Sequence, residues 1–593
     1  MPTAIVTGPP VPGSSLEGDL RSLGFEVRTA AGAAEAETLL AQVPEEDRVA
    51  LVDTRFVGHV HALRLGLTDP RFPLSAIPGA VTAQRSGRQT LTRAVARENS
   101  GCERGADSGA LVEGLPDRVV AALDTDVHRP DLGSLVAAVP AGPQARNEAR
   151  QSVAAVDEEA VRLRSAVKAR DGFFTTFCVS PYSRYLARWC ARRGLTPNQV
   201  TTASLLTALV AAGCAATGTR TGFVAAGVLL LASFVLDCTD GQLARYALRY
   251  STLGAWLDAT FDRAKEYAYY AGLALGAARG GDDVWALALG AMILQSCRHM
   301  VDFSYNEAQA GASTGPAAAL SGRLDRAGWT VWARRMIVLP IGERWALLAV
   351  LTALTTPRTT FRVLLVGCAF AAAYTTAGRV LRSWRRGRVE KGAARSLADL
   401  ADSGPLSELL PRSWARGGVV TAALGAVLVT GSALVWGAGW QTALAAAGYV
   451  ICSAAAVGRP LTGPLDWLVP PLFRAAEYGT VLVLAAGAEV NGALPAAYGL
   501  VSAVAYHHYD TVYRIRGDAG APPRPLVRAI GGHEGRTLAV AVLAAVLTAS
   551  GFTVALTALA VAVALVVLAE SIRFWVAAHR GGAPAVHDEG EPA

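Results

Sequence analysis

Between residues 198 and 576 the chain is a succession of apolar runs, about twelve of them, many near the roughly 20 residues that a helix needs to cross a bilayer. Inside lipid such a run can satisfy its backbone hydrogen bonds only as a helix or in a closed barrel, and runs this long and continuous read as helices. The first block comprises 198–217, 222–238, 253–277, 284–303, 344–356 and 361–381. The second comprises 417–436, 441–457, 466–487, 491–507, 534–551 and 553–576. No clear internal repeat relates the two blocks. Composition agrees: 52% of the 593 residues are hydrophobic and 17% are charged. An average soluble protein carries about 25% charged residues, and a disordered chain needs low hydrophobicity with high charge, so both classes are excluded.

The formal net charge of +7 suits cytoplasmic-loop arginine better than nucleic-acid binding. With the N-terminus inside, Arg245, Arg249, Arg323, Arg326, Arg334 and Arg335 fall in cytoplasmic loops, as do Arg379, Arg382, Arg385, Arg386, Arg388, Lys391 and Arg395. The opposite loops hold isolated Arg220, Arg279 and Arg358. The same rule places Arg514, Arg516, Arg524, Arg528, Arg536 and the C-terminus inside. Met1 to Gly8 has neither the basic start nor the apolar run of a signal peptide. The lysines are Lys168, Lys265 and Lys391 alone, against abundant Arg, Ala and Gly, a bias that points to a GC-rich bacterial genome and a bacterial plasma membrane. The eight cysteines lack zinc-ligand spacing, and Cys214, Cys238, Cys297, Cys368 and Cys452 read as small buried hydrophobes.

Residues 1–145 are more polar and alternate short apolar runs (Ala4–Val6, Val49–Val52) with helix-like stretches, which predicts a soluble α/β domain. Gly8-Pro9-Pro10-Val11-Pro12-Gly13 lacks a phosphate-loop pattern and reads as a surface turn. A linker helix is expected over 146–171. Pro181 to Gly194 interleaves Tyr182, Tyr185 and Trp189 with Arg184, Arg188, Arg192 and Arg193, an amphipathic pattern for a headgroup interface. Thr196-Pro197-Asn198-Gln199 is a helix start with its capping box. The division is then a membrane core over 172–390, a polar linker over 391–415, a C-terminal membrane region over 416–580 and a disordered tail over 581–593. The whole is mainly α, a polytopic membrane protein with a soluble α/β domain in front.

One segment concentrates chemistry. Asp237 and Asp240, with Gly241, share a helix face, and Gly254, Asp258 and Asp262 share another. Two such helices packed together bring four carboxylates to one point, where unpaired anions repel at a membrane face. Mg2+, a hard cation with oxygen ligands, resolves that repulsion, and two ions could clamp a pyrophosphate. Gly241 and Ala244 leave room for a ligand, and Arg245 can contact a phosphate twice. Helix-end charges that merely set topology would not need four aspartates on two faces.

The spacing D-x2-D-G-x2-A-R-x8-G-x3-D-x3-D over Asp237–Asp262 resembles, without departure, the signature of the CDP-alcohol phosphatidyltransferases. The likeness covers about residues 172–390. It implies a six-helix transferase core in which Asp237, Asp240, Asp258 and Asp262 surround two Mg2+ or Mn2+ ions. Asp262 is then the base toward the acceptor hydroxyl. Asp237, Gly241, Ala244, Arg245 and Gly254 form the CDP site. A substituted phosphate passes from a CDP-linked donor, CDP-diacylglycerol being favoured, to an alcohol such as inositol phosphate or glycerol phosphate, and CMP leaves. Arg263, Lys265, Arg298, Arg334, Arg335 and Arg344 are the candidates for a phosphorylated acceptor; His299 reads as a solvated helix-end residue. The expected partners are the donor, the acceptor, membrane lipid and, as an open alternative, a second copy in a homodimer, with no nucleic acid.

The order of α/β domain, linker and Asp171-Gly172-Phe173-Phe174 also resembles bifunctional enzymes that join a cytidylyltransferase to an inositol-phosphate transferase. The first loop lacks their Gly-x-Gly-x-Arg, so this N-terminal domain is expected to be degenerate. Transfer from CDP-inositol or another CDP-alcohol is the alternative chemistry. A non-catalytic scaffold or a transporter is the alternative class. His507-His508-Tyr509-Asp510 reads as an interfacial aromatic and polar belt, with a metal or headgroup site as its other reading.

Overall fold

The structure is a computed structural model that describes residues 1–102, 114–168, 171–309, 338–386, 389–409, 417–517 and 519–580. Strands β1 (Thr3–Thr7), β2 (Glu26–Ala30), β3 (Val49–Asp53), β4 (Leu74–Ile77) and β5 (Ala80–Ala83) form one sheet in the order β2-β1-β3-β5-β4. β1 runs parallel to β2 and β3, with Thr3 opposite both Glu26 and Val49, while β5 is antiparallel to β3 and β4. β1 and β3 are buried at every residue, as central strands covered on both faces must be. Ile5, Val49 and Leu51 pack on α2 (Ala33–Gln42), α4 (Arg88–Cys102) and α5 (Leu115–Ala121). The alternate residues Ala4, Val6, Ala50 and Val52 pack on α1 (Leu16–Ser22) and α3 (Val60–Thr68). The Gly8 turn lies at the surface with Pro9 and Pro10 exposed.

The expected linker helix is two helices, α6 (Pro143–Ala154) and α7 (Glu158–Ser165). Asp157 breaks the run by capping α7, its carboxylate accepting from the Ala160 amide at 3.1 Å. Then α8 (Ser180–Arg192) buries Ser183, Ala187 and Cys190 and exposes Tyr182, Tyr185 and Trp189, the amphipathic face read from its sequence.

The membrane core consists of α9 (Pro197–Ala216), α10 (Arg220–Ala247), α11 (Thr252–Arg279), α12 (Trp285–Gln309), α13 (Ile341–Leu354) and α14 (Pro357–Arg386). The capping box opens α9: Thr196 Oγ1 accepts from Gln199 N at 3.3 Å and Gln199 Oε1 from Thr196 N at 2.9 Å. Glycine lets α11 lie directly on α9, because a Cβ on Gly272 or Gly276 would come within 2.4 Å or 2.0 Å of the carbonyl oxygen of Ala212 or Ala215. Part of the stretch expected as a polar linker is α15 (Lys391–Leu400), which buries Ala393, Ala394, Leu397 and Leu400.

The second block consists of α16 (Gly418–Trp436), α17 (Trp440–Val457), α18 (Val469–Gly487), α19 (Ala493–Arg516), α20 (Gly532–Val546) and α21 (Ala549–Arg580). Among the described residues, seven helices are long and apolar enough to cross a membrane: α9, α10, α14, α16, α17, α18 with its preceding turn, and α21. The others meet the apolar runs of the sequence but are shorter or carry buried polar groups.

Candidate active site

The carboxylates lie where α10 ends and α11 begins. α10 continues beyond its apolar run to Ala247, so Asp237 and Asp240 are helical and share its inner face. Leu248, in the left-handed region at φ 51°, ends α10, and Ser251 restarts the chain by accepting from Gly254 N at 2.9 Å. Gly254 faces α9 closely: a Cβ there would sit 2.7 Å from the side-chain Oδ1 of Asn198.

Asp237, Asp240 and Asp258 offer oxygens that all lie within 4.8 Å of one another. Asp240 is 4% exposed, and its Oδ2 has no hydrogen-bond partner. A buried anionic oxygen left unpaired is costly, and a divalent cation among three hard oxygen donors answers that cost. The residues therefore fit Mg2+ or Mn2+.

Asp262 stands beside this group and is held differently. Lys265 Nζ donates to Asp262 Oδ1 at 3.2 Å and also to Asp237 Oδ1. Its side chain is 0% exposed, against 15% and 18% for those two aspartates. Sequence reasoning placed Lys265 among acceptor ligands; the structure places it within the carboxylate cluster.

The Arg245 guanidinium lies over Gly241, where a Cβ would come 3.4 Å from its Nη1. Its Nε donates to the Ala166 carbonyl at 2.6 Å, so the segment after α7 fixes the arginine while Ala244 stays half-buried beside it. Arg162 of α7 stacks on Tyr246 at 3.7 Å, and Arg71 of the α/β region stacks on Tyr250 at 4.0 Å. The N-terminal region thus grips the turn between the two aspartate-bearing helices. Glu343 at the start of α13 accepts from Phe174 N at 3.2 Å and ties down the Asp171-Gly172-Phe173-Phe174 segment.

The other basic candidates lie elsewhere. Arg263 donates to Glu266 at 2.8 Å, and Arg344 meets the same carboxylate at 3.1 Å, so both converge on Glu266 and not on the aspartates. Arg298 donates to the carbonyls of Val338 and Leu339. Arg334 and Arg335 lie outside the described residues. Glu266 was missed from sequence; its signal was an acid three residues after Arg263 on an apolar helix, a spacing that pairs them.

Two readings require correction. His299 is not a solvated end: it is half-buried and hydrogen-bonded to the Tyr509 hydroxyl. His507, His508, Tyr509 and Asp510 are not an interfacial belt, for all four are buried. His507 and His508 instead meet Asp402, from the turn after α15, at 3.0 and 3.2 Å, in a network with Arg474, Glu477 and Arg536. Asp510 turns the other way, to Ser571, Trp575 and Arg514.

Comparison with known proteins bears on this geometry. Residues 194–357 match the family model for CDP-alcohol phosphatidyltransferase, and residues 391–593 match a family of unknown function, DUF5941. A phosphatidylinositol phosphate synthase of Streptomyces avermitilis is 36% identical over 155 residues, 26% of this chain and 59% of that protein. A bifunctional IPC transferase and DIPP synthase of Aquifex aeolicus is 31% identical over 114 residues, 19% of this chain and 26% of that one. An archaetidylinositol phosphate synthase of Pyrococcus horikoshii is 34% identical over 91 residues, 15% of this chain and 47% of that one. The chain therefore spans less than two thirds of each of these relatives.

Proposed function

With a CDP-alcohol phosphatidyltransferase domain at residues 194–357 as the premise, we propose that the chain transfers a phosphatidyl group from CDP-diacylglycerol to a phosphorylated alcohol. Inositol phosphate is the first candidate for the acceptor and glycerol phosphate the second, and CMP is released. The observation that carries this reading is the triplet Asp237, Asp240 and Asp258 closing within 4.8 Å, with Lys265 holding Asp262 beside it. The names of the relatives favour an inositol-phosphate acceptor. The active site is read as facing the cytoplasm of a bacterial cell, with both termini on that side.

Asp237, Asp240 and Asp258 would hold Mg2+ or Mn2+, with Asp262 adjoining. The bound ion supplies charge neutralisation at the donor phosphates and makes a nearby hydroxyl easier to deprotonate. Arg245, fixed through its Nε, presents its remaining N–H groups to a donor phosphate, and Gly241 leaves space beneath it. Asp262 takes the proton of the acceptor hydroxyl as that oxygen bonds to the phosphorus nearer the lipid and the bond to CMP breaks. Lys265, donating to Asp262 Oδ1, keeps that carboxylate aimed. Positioning and charge carry such transfers, so covalent help from the protein is unnecessary.

The test is CMP release from CDP-diacylglycerol by the detergent-purified chain with Mn2+ or Mg2+ and a panel of alcohols. Inositol phosphate should give the fastest release. No CMP with any acceptor would overturn the reading.

A further inference from the structure

We infer that the second membrane block is a diverged copy of the transferase core, lacking counterparts of the four site aspartates and packed against the first copy as a built-in partner. The sequence hides the repeat, but the helices show it. Among the described residues, each block has six helices of at least 14 residues in the same order. α12 and α19 have 25 and 24 residues, α13 and α20 have 14 and 15, and α14 and α21 have 30 and 32. The packing partners also match. α9 packs on α10 and α11 as α16 does on α17 and α18. α10 meets α13 as α17 meets α20, and α12 meets α14 as α19 meets α21.

Once these helices are paired, residues align. Trp256-Leu257 leads to Arg263-Ala264-Lys265-Glu266-Tyr267, and Trp467-Leu468 leads at the same spacing to Arg474-Ala475-Ala476-Glu477-Tyr478. His299, Asp302 and Tyr305 on α12 recur as His507, Asp510 and Tyr513 on α19. Arg344 with Ala349-Val350-Leu351 recurs as Arg536 with Ala541-Val542-Leu543. The geometry repeats atom for atom. Arg263 Nη1 meets Glu266 Oε2 at 2.8 Å, and Arg344 Nε meets Glu266 Oε1 at 3.1 Å. Arg474 Nη1 meets Glu477 Oε2 at 3.0 Å, and Arg536 Nε meets Glu477 Oε1 at 2.6 Å. Spanning a bilayer requires apolar helices and nothing more. A buried Arg–Glu–Arg triad on the same pair of helices (α11 with α13, α18 with α20) in the same register is expensive there and is not a by-product of hydrophobicity.

The active-site residues are missing from the copy. Val469 and Phe473 stand where Asp258 and Asp262 would be, and residues 440–465 contain no Asp or Glu to replace Asp237 and Asp240. The copy keeps an interface with the first block. α11 presents Gly254, Asp258, Asp262 and Lys265 on one face and Trp256, Arg263 and Tyr267 on the other. That second face meets the copy. Trp256 stacks on Trp575 at 6.0 Å, Arg263 lies 5.0 Å over Tyr509, and the Tyr498 hydroxyl donates to the Tyr267 carbonyl at 2.8 Å. The contact is reciprocal: α11 packs on α19, and α12 packs on α18 as well as α19. Trp575 is therefore a positioning residue, supporting from behind the helix that carries Asp258 and Asp262. That last clause rests on the proposed function; the repeat itself does not.

The experiment uses the full chain in detergent. Light scattering should give the mass of one chain per particle. In a background with native cysteines replaced by serine, Met292→Cys with Ser502→Cys, whose parent side chains lie 3.2 Å apart, should cross-link within one chain. A two-chain particle, or a cross-link that joins two chains, would overturn the built-in partner. Specific Mn2+ binding followed by electron paramagnetic resonance should vanish in Asp240→Asn/Asp258→Asn; Mn2+ retained by the second block would overturn its silence. Trp575→Ala should lower the kcat of CMP release about tenfold at unchanged donor KM, and Trp575→Phe should restore it. Unchanged kcat in Trp575→Ala would overturn the positioning role. Absence of CMP release from the unmodified chain would overturn the proposed function instead, and the mass and cross-link would still decide the repeat.

Discussion

Lys265 donates to Asp262 across 3.2 Å from a side chain with no exposure of its own, while the same ammonium also holds Asp237. One fixed cation therefore serves both helices of the carboxylate cluster. Lys265→Met keeps the length and removes the charge. We expect CMP release to fall by at least about tenfold and Mn2+ bound per chain to rise, because two anions lose their fixed counter-ion. An unchanged rate with unchanged Mn2+ stoichiometry would show that Lys265 has no part in the cluster.

Divalent ions should also stabilise the fold. At a hundred times its Kd, a ligand that binds only the folded chain adds about 2.7 kcal/mol. Thermal unfolding of the EDTA-treated chain should rise on adding Mn2+, and Asp240→Asn should abolish the rise. A rise of equal size in that variant would place the ion elsewhere.

Glycine packing between α9 and α11 gives a prediction free of catalysis. A Cβ on Gly276 would meet the Ala215 backbone carbonyl at 2.0 Å, whereas one on Gly213 has nothing within 4 Å. Gly276→Ala should destabilise by about 1–3 kcal/mol through overpacking. Gly213→Ala should be neutral or stabilising by up to about 1 kcal/mol, since alanine favours a helix. Denaturation of the two variants side by side is the check.

In the α/β region, burial and then the charge of Arg162 push the His61 imidazole down to about 3, and neither ring nitrogen has a hydrogen-bond partner. The unfolded chain takes up a proton near pH 6.5 that the folded chain refuses. Stability from a neutral His61 is thus complete above about pH 6.5 and is lost as pH falls toward 3. His61→Leu removes that titration. It should stabilise this region by about 2 kcal/mol more at pH 5 than at pH 8, read from amide exchange in α3. Equal effects at both pH values would contradict a neutral buried His61.

The carboxylate cluster was legible because its spacing is local: Asp237 to Asp262 follow a pattern that helix geometry alone turns into two facing pairs. Thr196 and Gln199 were legible for a similar reason, since a capping box is local. Asp402 was not, because its partners His507 and His508 are distant in sequence and only the tertiary fold unites them. Neither was the relation between Arg263-x2-Glu266 and Arg474-x2-Glu477. Lipid-facing positions accept any apolar residue, so two copies drift apart everywhere except at buried polar groups. Asp157 split a run that composition reads as one helix, because a single capping side chain outweighs several good helix formers.

The most direct measurement is CMP release from CDP-diacylglycerol with inositol phosphate and Mn2+, by the native chain and by Asp262→Asn. Acceptor-dependent release is expected from the native chain and none above background from the variant, with Mn2+ still bound. Release undiminished in Asp262→Asn, or no release by the native chain, would contradict the proposed function.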